Sequence, residues 1–462
     1  MPALKYQNST LFVWVIVSLM ITTIQSSCGE NMPNDDVYAF KTYYLDSNNG
    51  SDTNNGLSPY TPWKSLSKIE NTKLNAGDTV RFKRASNFEG MLVIVYSGTV
   101  DKKITLSDYG SKELPPPSFT NQHFKQGDFG NCIKIKGSNI VVENLLFEHT
   151  ATFVEGTYTT DGGWKEWEMG ALYIDKGVEN CHVRNNEFFD CVAGIRSYGT
   201  KVLLENNYIH DCNRPLRRWN WGPIGIWLGN DYQEVRYNRI INIRGEDPNY
   251  VSEGADGGAM EIDDERYDKT HIFLHHNFTQ DCQGFLEIVL NDVISTKAPI
   301  YEGFNISYNV CDDYSAFCKI REAKNCTIDN NTVIRRKKNS NEKGIFVFKG
   351  NNTQNKVRNN IFVTTTDVPV FTCYNTPAVI IQNNLYYSLG TMMMGNDGPG
   401  SSSVTGDPEF VDIVSGNSPA DFAVKPESPA IDKGMNIGYT VDFAQHAVPQ
   451  GNAPDMGAFE IK

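Results

Sequence analysis

A chain of 462 residues with 40% hydrophobic and 11% aromatic residues has ample material for a large core. Its formal charge of −13 argues against nucleic acid or an anionic membrane surface as the main partner. That length fits two or three compact domains or one long repeat structure.

The first 27 residues read as an export signal. Lys5 precedes the short apolar run LFVWVIVSLMITTI, which is followed by the small residues of QSSC. A run of this length is too short to be a membrane span. Small residues directly before Cys28 match a bacterial lipoprotein processing site, so Cys28 is expected to carry the lipid and residues 28–41 to form a polar tether. An exported lipoprotein of a Gram-negative cell surface or periplasm is expected, with plain secretion as the alternative because Gln25 replaces the usual aliphatic residue.

Residues 42–125 alternate Gly/Asn/Asp/Pro turn clusters with apolar strand-like runs. Residues 126–390 carry two recurring phrases. An asparagine returns as Asn186, Asn207, Asn238, Asn277, Asn309, Asn331, Asn360 and Asn384, at intervals of 21, 31, 39, 32, 22, 29 and 24 residues. The shortest intervals are one repeat and the longer ones a repeat plus a loop, which is the signature of a solenoid. Stacked asparagines can hydrogen-bond one another, which satisfies amides that would be costly to bury alone. The second phrase begins at Gly170, Gly194, Gly225, Gly258, Gly284, Ala316 and Gly344. With period two, Leu172, Trp227, Met260, Leu286, Cys318 and Phe346 are expected to point inward. Tyr173, Ser197, Leu228, Glu261, Glu287, Lys319 and Val347 then form one outward row. Asp175, Gly199, Asn230, Asp263, Val289, Arg321 and Lys349 form its neighbour. Cys191, Cys212 and Cys282 each follow Asp at one place in the repeat, which suggests a stack of small inward side chains. No Cys/His spacing suggests zinc.

Residues 391–462 are expected to cap the C-terminal end. The phrases YYLDSNNGSDTNNGLSPYTPW and AGDTV near the start resemble the N-terminal segment of bacterial right-handed parallel β-helix proteins of the pectate-lyase-like kind, and DPEFVD, ESPAIDKG and APDMGAFE resemble their C-terminal end. The resemblance implies an all-β, right-handed parallel β-helix and a carbohydrate-active protein, either a polysaccharide lyase or a glycoside hydrolase.

Glu261, Asp263 and Glu287 are the first chemical constellation. Parallel strands lie about 4.8 Å apart, so stacked glutamates must share a proton or hold a cation between them. Clustered carboxylates suit calcium. A pair about 5–5.5 Å apart suits a retaining glycosidase and a longer one an inverting glycosidase. The bland alternative is a surface charge ladder neutralised by Lys319 and Arg321. Expected loops at 150–169, 211–224, 244–257, 264–270 and 290–302 flank these strands and would make a cleft.

Arg214, Arg217, Arg218, Trp219 and Trp221 are the second constellation. Arginine binds carboxylate or sulfate in a bidentate manner and tryptophan stacks on sugar faces, so an anionic sugar would satisfy both. Trp164 and Trp167 are candidates for the opposite wall. His210, beside this loop, is a candidate base. His275 and His276 are expected to be structural, with one pointing out.

The patch resembles that of β-helical alginate and chondroitin-type lyases, in which acidic residues bind calcium and a Lys/Arg pair moves the proton. Those alginate lyases place their lysine where this chain has Asp292, so Lys319 would substitute. The resemblance thus implies β-elimination on a uronic-acid-containing glycan, as a lyase or as a dehydratase at a chain end, with no organic cofactor. A glycoside hydrolase using Glu261, Asp263 and Glu287 is the rival, since β-helical xylosidases and fucosidases share this kind of N-terminal segment. A non-enzymatic glycan-binding lipoprotein is the third reading.

Overall fold

The computed structural model describes residues 39–122, 130–150, 169–213, 223–245, 258–263, 267–288, 299–335, 344–350, 352–364, 368–374 and 379–462. Residues 1–38, which hold the expected leader, Cys28 and most of the expected tether, lie outside them. From Phe40 onward the chain forms one unit, a right-handed parallel β-helix. Each full coil gives one short strand to each of three sheets, and every neighbouring pair within those sheets is parallel. Among the described residues, sheet 1 begins at Thr42–Leu45 and has 12 strands, sheet 2 begins at Asn87–Glu89 and has 12, and sheet 3 begins at Leu92–Ile94 and has 10. Alternation along each strand sends one row inward, and stacked coils build a continuous core from Val80, Leu106, Val142, Val183, Leu204 and their successors.

At the N-terminal end a strand, a turn, a short helix and a second strand follow one another. Thr42–Leu45 leads to the helix Leu66–Glu70, which buries Leu66 and Ile69, and then to Thr79–Lys83. Asp46 fixes the first turn by accepting the backbone N–H groups of Asn48 and Asn49, both at 3.0 Å.

The recurring asparagines occupy the corner between sheets 1 and 2. The residue before each one has φ between 52 and 58° (Asn185, Asn206, Tyr237, His276, Tyr308, Asn330, Asn359 and Asn383). This left-handed residue turns the chain sharply and aims the next side chain into the coil. Each asparagine then donates both its backbone N–H and its Nδ2–H to the Oδ1 of the next, at 2.8–3.1 Å throughout. Nδ2 also reaches a backbone carbonyl of the preceding coil at 2.9–3.0 Å. The expected ladder is therefore complete from Asn186 to Asn384. At the next corner Cys191, Cys212 and Cys282 are fully buried and all nine described cysteines are free. Burial holds the Cys191 and Cys282 thiols well above their ordinary range.

The C-terminal segment does more than end the solenoid. It runs back along sheet 2, placing Phe410, Phe422, Val424, Ala430, Met456 and Ala458 against Phe278, Val310, Ile334, Ile361, Val363 and Leu385. Asn359 exchanges two hydrogen bonds with the Met435 backbone, both at 2.8 Å, and Gln445 reaches the Tyr237 hydroxyl at 2.6 Å. This strap also settles the histidine pair. His276 is buried and its Nε2–H donates to the Asp442 carbonyl at 3.0 Å, while its Nδ1 meets His275 Nδ1 at 2.8 Å. His275 faces outward and reaches Glu234 at 3.2 Å.

Two outcomes follow from this packing. Asn277→Ala orphans the Asn238 donors inside the ladder and is expected to destabilise the protein by about 2–5 kcal/mol. Urea unfolding reads this, and a change below about 0.5 kcal/mol would remove the ladder from its structural role. Burial depresses His276 from 6.5 to about 3. A depressed group contributes stability above its unfolded value and loses it as pH falls through the folded one. The melting temperature is therefore expected to fall from pH 6.5 toward 3, and the slope to be shallower in His276→Gln. An unchanged slope in that variant contradicts the assignment.

Candidate functional site on sheet 3

Sheet 3 carries the charged rows, and its register decides which side chains stack. Tyr173 lies opposite Arg196, Arg196 opposite Trp227, and Trp227 opposite Glu261. Glu261 lies opposite Glu287 and Glu287 opposite Lys319. The expected stack of glutamates followed by lysine is present. The expectation that Ser197 and Leu228 point outward, with Trp227 inward, is corrected. Ser197 and Leu228 fall in the inward row with Ile174 and Ile262, and Arg196 and Trp227 take the outward places. In the neighbouring row Tyr198 and Gly229 replace the expected Gly199 and Asn230. Their backbone N–H groups bond to Ile174 and Ser197 as the Asp263 N–H bonds to Leu228.

The outward side of sheet 3 thus begins with a packed aromatic and cationic group. The Arg196 guanidinium lies 3.9 Å from the centre of the Trp227 ring. Tyr198 sits edge-on to Trp227 at 5.1 Å and 5.7 Å from Tyr173, and Lys134 lies 4.6 Å from the Tyr173 ring. Tyr198 needs the glycine beside it, because a Cβ at Gly229 would stand 2.5 Å from the Tyr198 ring. Arg196 and Trp227 are fully buried although they point away from the coil interior. Burial presses the Arg196 guanidinium below its ordinary value, against the opposing pull of Tyr198, Tyr173, Glu261 and Asp263.

The acids come next along the axis. Glu261 and Asp263 are 6% and 7% exposed, while the Glu287 side chain is 24% exposed and is joined by Lys319 at 3.4 Å. Water therefore reaches the row at Glu287 and Lys319 more than at Glu261. Arg321 ends the Lys319 strand and lies opposite Lys349 of the next coil. Beside the row, Lys269–Thr270 pairs with Tyr301–Glu302 as a small separate sheet. Lys269 is fully buried there, its Nζ donating to the Tyr267 carbonyl at 3.0 Å and lying 4.8 Å from the Tyr301 ring.

Glu261, Asp263, Glu287, Lys319 and Arg321 are thus gathered on one face. His210 is not among them. It ends a strand of sheet 2, where it pairs with Glu187 at 3.1 Å and Asp211 at 2.8 Å and stacks on Tyr208. Burial would lower its pKa, but these two carboxylates outweigh burial and raise it. Arg214, Arg217, Arg218, Trp219 and Trp221 lie outside the described residues, as do Trp164, Trp167 and Asp292. Among the described residues, no group of three or more His, Cys, Asp or Glu side chains is placed to hold a metal ion.

Sequence reasoning missed Arg196, Trp227 and Tyr198. A signal was present in the intervals. Gly194 and Gly225 each stand 13 residues before their ladder asparagine, whereas Gly170 and Gly344 stand 16 before theirs. The shorter pair marks coils whose glycine sits one place further along the strand.

Comparison with known proteins gives the fold a context. No protein-family model matches the chain. It is 27% identical over 220 residues to the lacto-N-biosidase of Bifidobacterium longum subsp. longum, a stretch that is 41% of this chain and only 13% of that protein. Among solved structures, the lacto-N-biosidase of glycoside hydrolase family GH136 from Eubacterium ramulus matches with a TM-score of 0.52 at 15% identity, over 79% of this chain and 67% of that one. XylC in complex with xylose matches with a TM-score of 0.50 at 11% identity, over 91% and 99% of the two chains. At these identities the likeness to solved structures concerns architecture alone: the chain has the right-handed parallel β-helix fold.

Proposed function

We propose that this protein is a carbohydrate-active enzyme that hydrolyses a glycosidic bond on the outward face of sheet 3. The observation that carries this reading is the register that stacks Glu261 on Glu287 across adjacent coils, with Asp263 two residues along the same face. Two carboxyl groups on either side of a glycosidic bond are the minimal machinery for its hydrolysis. One protonates the leaving oxygen while the other attacks the sugar or activates water. The ion pair with Lys319 fits Glu287 to the charged role. The deeper burial of Glu261 fits it to the proton donor's role.

The rival is elimination from a uronic acid with Lys319 as base. It draws on the same residues, but Lys319 Nζ is engaged by Glu287. The sequence match to a lacto-N-biosidase supports hydrolysis over elimination. An exported lipoprotein anchored at Cys28 would meet such glycans outside the cytoplasm.

The test offers the purified protein neutral and uronate-containing oligosaccharides, together with an aryl lacto-N-bioside and an aryl xyloside. New reducing ends or aryl release are expected, without the ultraviolet absorbance of an unsaturated uronate. A rising absorbance would overturn hydrolysis, and its loss in chelator would give the carboxylates to calcium. Glu261→Gln and Glu287→Gln are each expected to lower kcat by about 10²–10⁴-fold. Turnover within about threefold of wild type in either variant would remove that residue from the chemistry.

A further inference from the structure

The C-terminal strap is fastened to the left-handed residues that turn the coils between sheets 1 and 2. Tyr237 accepts from Gln445, Asn330 donates to the Asp455 and Gly457 carbonyls at 3.3 and 3.4 Å, and Asn383 donates to the Lys433 carbonyl at 3.1 Å. His276, in the same row, donates to the Asp442 carbonyl at 3.0 Å. The Asp442 carboxylate in turn accepts the backbone N–H of Glu460 at 2.8 Å. His276 and Glu460 therefore stand on either side of one strap residue, and all three are buried. Residues 430–461 give no strand to the three sheets, so this segment can part from the coil without breaking one.

Burial works against the charge of both groups. His276 also meets the His275 ring at 2.8 Å and the positive charge of Arg236, and is pressed from 6.5 to about 3. Glu460 accepts the N–H groups of Asp455 and Gln450 at 3.0 and 3.2 Å. Burial and the neighbouring Asp455 and Asp442 carboxyls outweigh these bonds and lift it from 4.5 to about 7. Tyr308 stacks on His276 and faces Glu460, with Asp442, Tyr439 and the Arg358-bound Asp329 around it. Its buried hydroxyl has no hydrogen-bond partner among the described residues, so it adds no bond to a charged Glu460. On the outer side His446 meets Asp442 at 3.3 Å, and Asp432 faces Asp455.

We propose that His276 and Glu460 form a charge-compensated latch for the strap. Both are uncharged while the strap is docked, and its release charges them with opposite signs. Stability from His276 is full above 6.5 and is lost as pH falls toward 3. Stability from Glu460 is full below 4.5 and is lost as pH rises to about 7. Between 4.5 and 6.5 release puts a proton on His276 and takes one from Glu460, so the two slopes offset. Asp455, also raised by burial, acts in the direction of Glu460. Below 4.5 Glu460 is protonated in both states and His276 acts alone, which concentrates the acid loss of stability there.

Hydrogen exchange of strap peptides, corrected for the pH dependence of amide chemistry, would be followed from about pH 4.5 to about pH 7. The samples are wild type, His276→Gln, Glu460→Gln and the double variant. In His276→Gln strap protection is expected to fall as pH rises, by up to about tenfold per pH unit. In Glu460→Gln it is expected to fall as pH drops, by up to the same factor. Wild type is expected to change less than either single variant, and the double variant by less than about threefold overall. Single variants that slope in the same direction, or that keep the wild-type profile, overturn the latch. Nitrogen NMR of the wild-type imidazole reads His276 without a substitution, should a variant fail to fold. Neutrality that persists well below 6.5 supports the latch, and titration near 6.5 overturns it.

Discussion

The structure depends on the asparagine ladder at the corner between sheets 1 and 2. A parallel β-helix must turn its backbone sharply in every coil, and each turn brings polar groups into the interior, where an unpaired donor or acceptor costs about 1–3 kcal/mol. Here a left-handed residue makes the turn, and the asparagine after it gives its amide to the coil on one side and takes hydrogen bonds from the other. The bonds are identical from coil to coil, so the ladder fixes the register of the strands on either side of it. Sheet 3 stacks its strands in the same parallel manner, with Glu261 opposite Glu287.

The three sheets put this common lattice to different uses. Sheet 2 is covered over its later coils by the C-terminal strap, whose apolar residues lie on its outward row. Sheet 1 is open and neutralises itself through alternating acids and bases. Sheet 3 carries an aromatic and arginine block, then acids, then bases. The block around Arg196 and Trp227 is as well packed as the interior although it lies outside the coil, and so gives the acidic stretch a rigid wall on one side.

Much of this was legible in the sequence because it repeats. The ladder asparagines recur at a fixed place in every coil from Asn186 to Asn384, the inward cysteines recur at one place in three coils, and Glu261, Glu287 and Lys319 share one place on successive strands. What sequence reasoning could not fix was phase at Gly194 and Gly225. Strand side chains alternate with period two, so a slip of one residue exchanges the inner and outer faces, and it moved Arg196 and Trp227 off the site. Trp227 also reads as core by composition, since a large apolar ring is expected inside. The strap was illegible for another reason. Its motifs resemble a terminal cap, and nothing in their local pattern says that they pack against coils more than a hundred residues earlier, as Gln445 does on Tyr237.

The contrast between sheets 1 and 3 bears on whether the charges of sheet 3 are more than surface decoration. Two like charges about 4.8 Å apart repel by roughly 3 kcal/mol at an effective dielectric near 20, and by less where water and salt reach them. A sequence free to place charges at random on an exposed sheet gains by alternating them, and on sheet 1 that is the arrangement. On sheet 3 acid stands on acid at Glu261 and Glu287, and base on base at Arg321 and Lys349. The ion pair of Lys319 with Glu287 at 3.4 Å relieves part of that repulsion at the more exposed end of the acidic row.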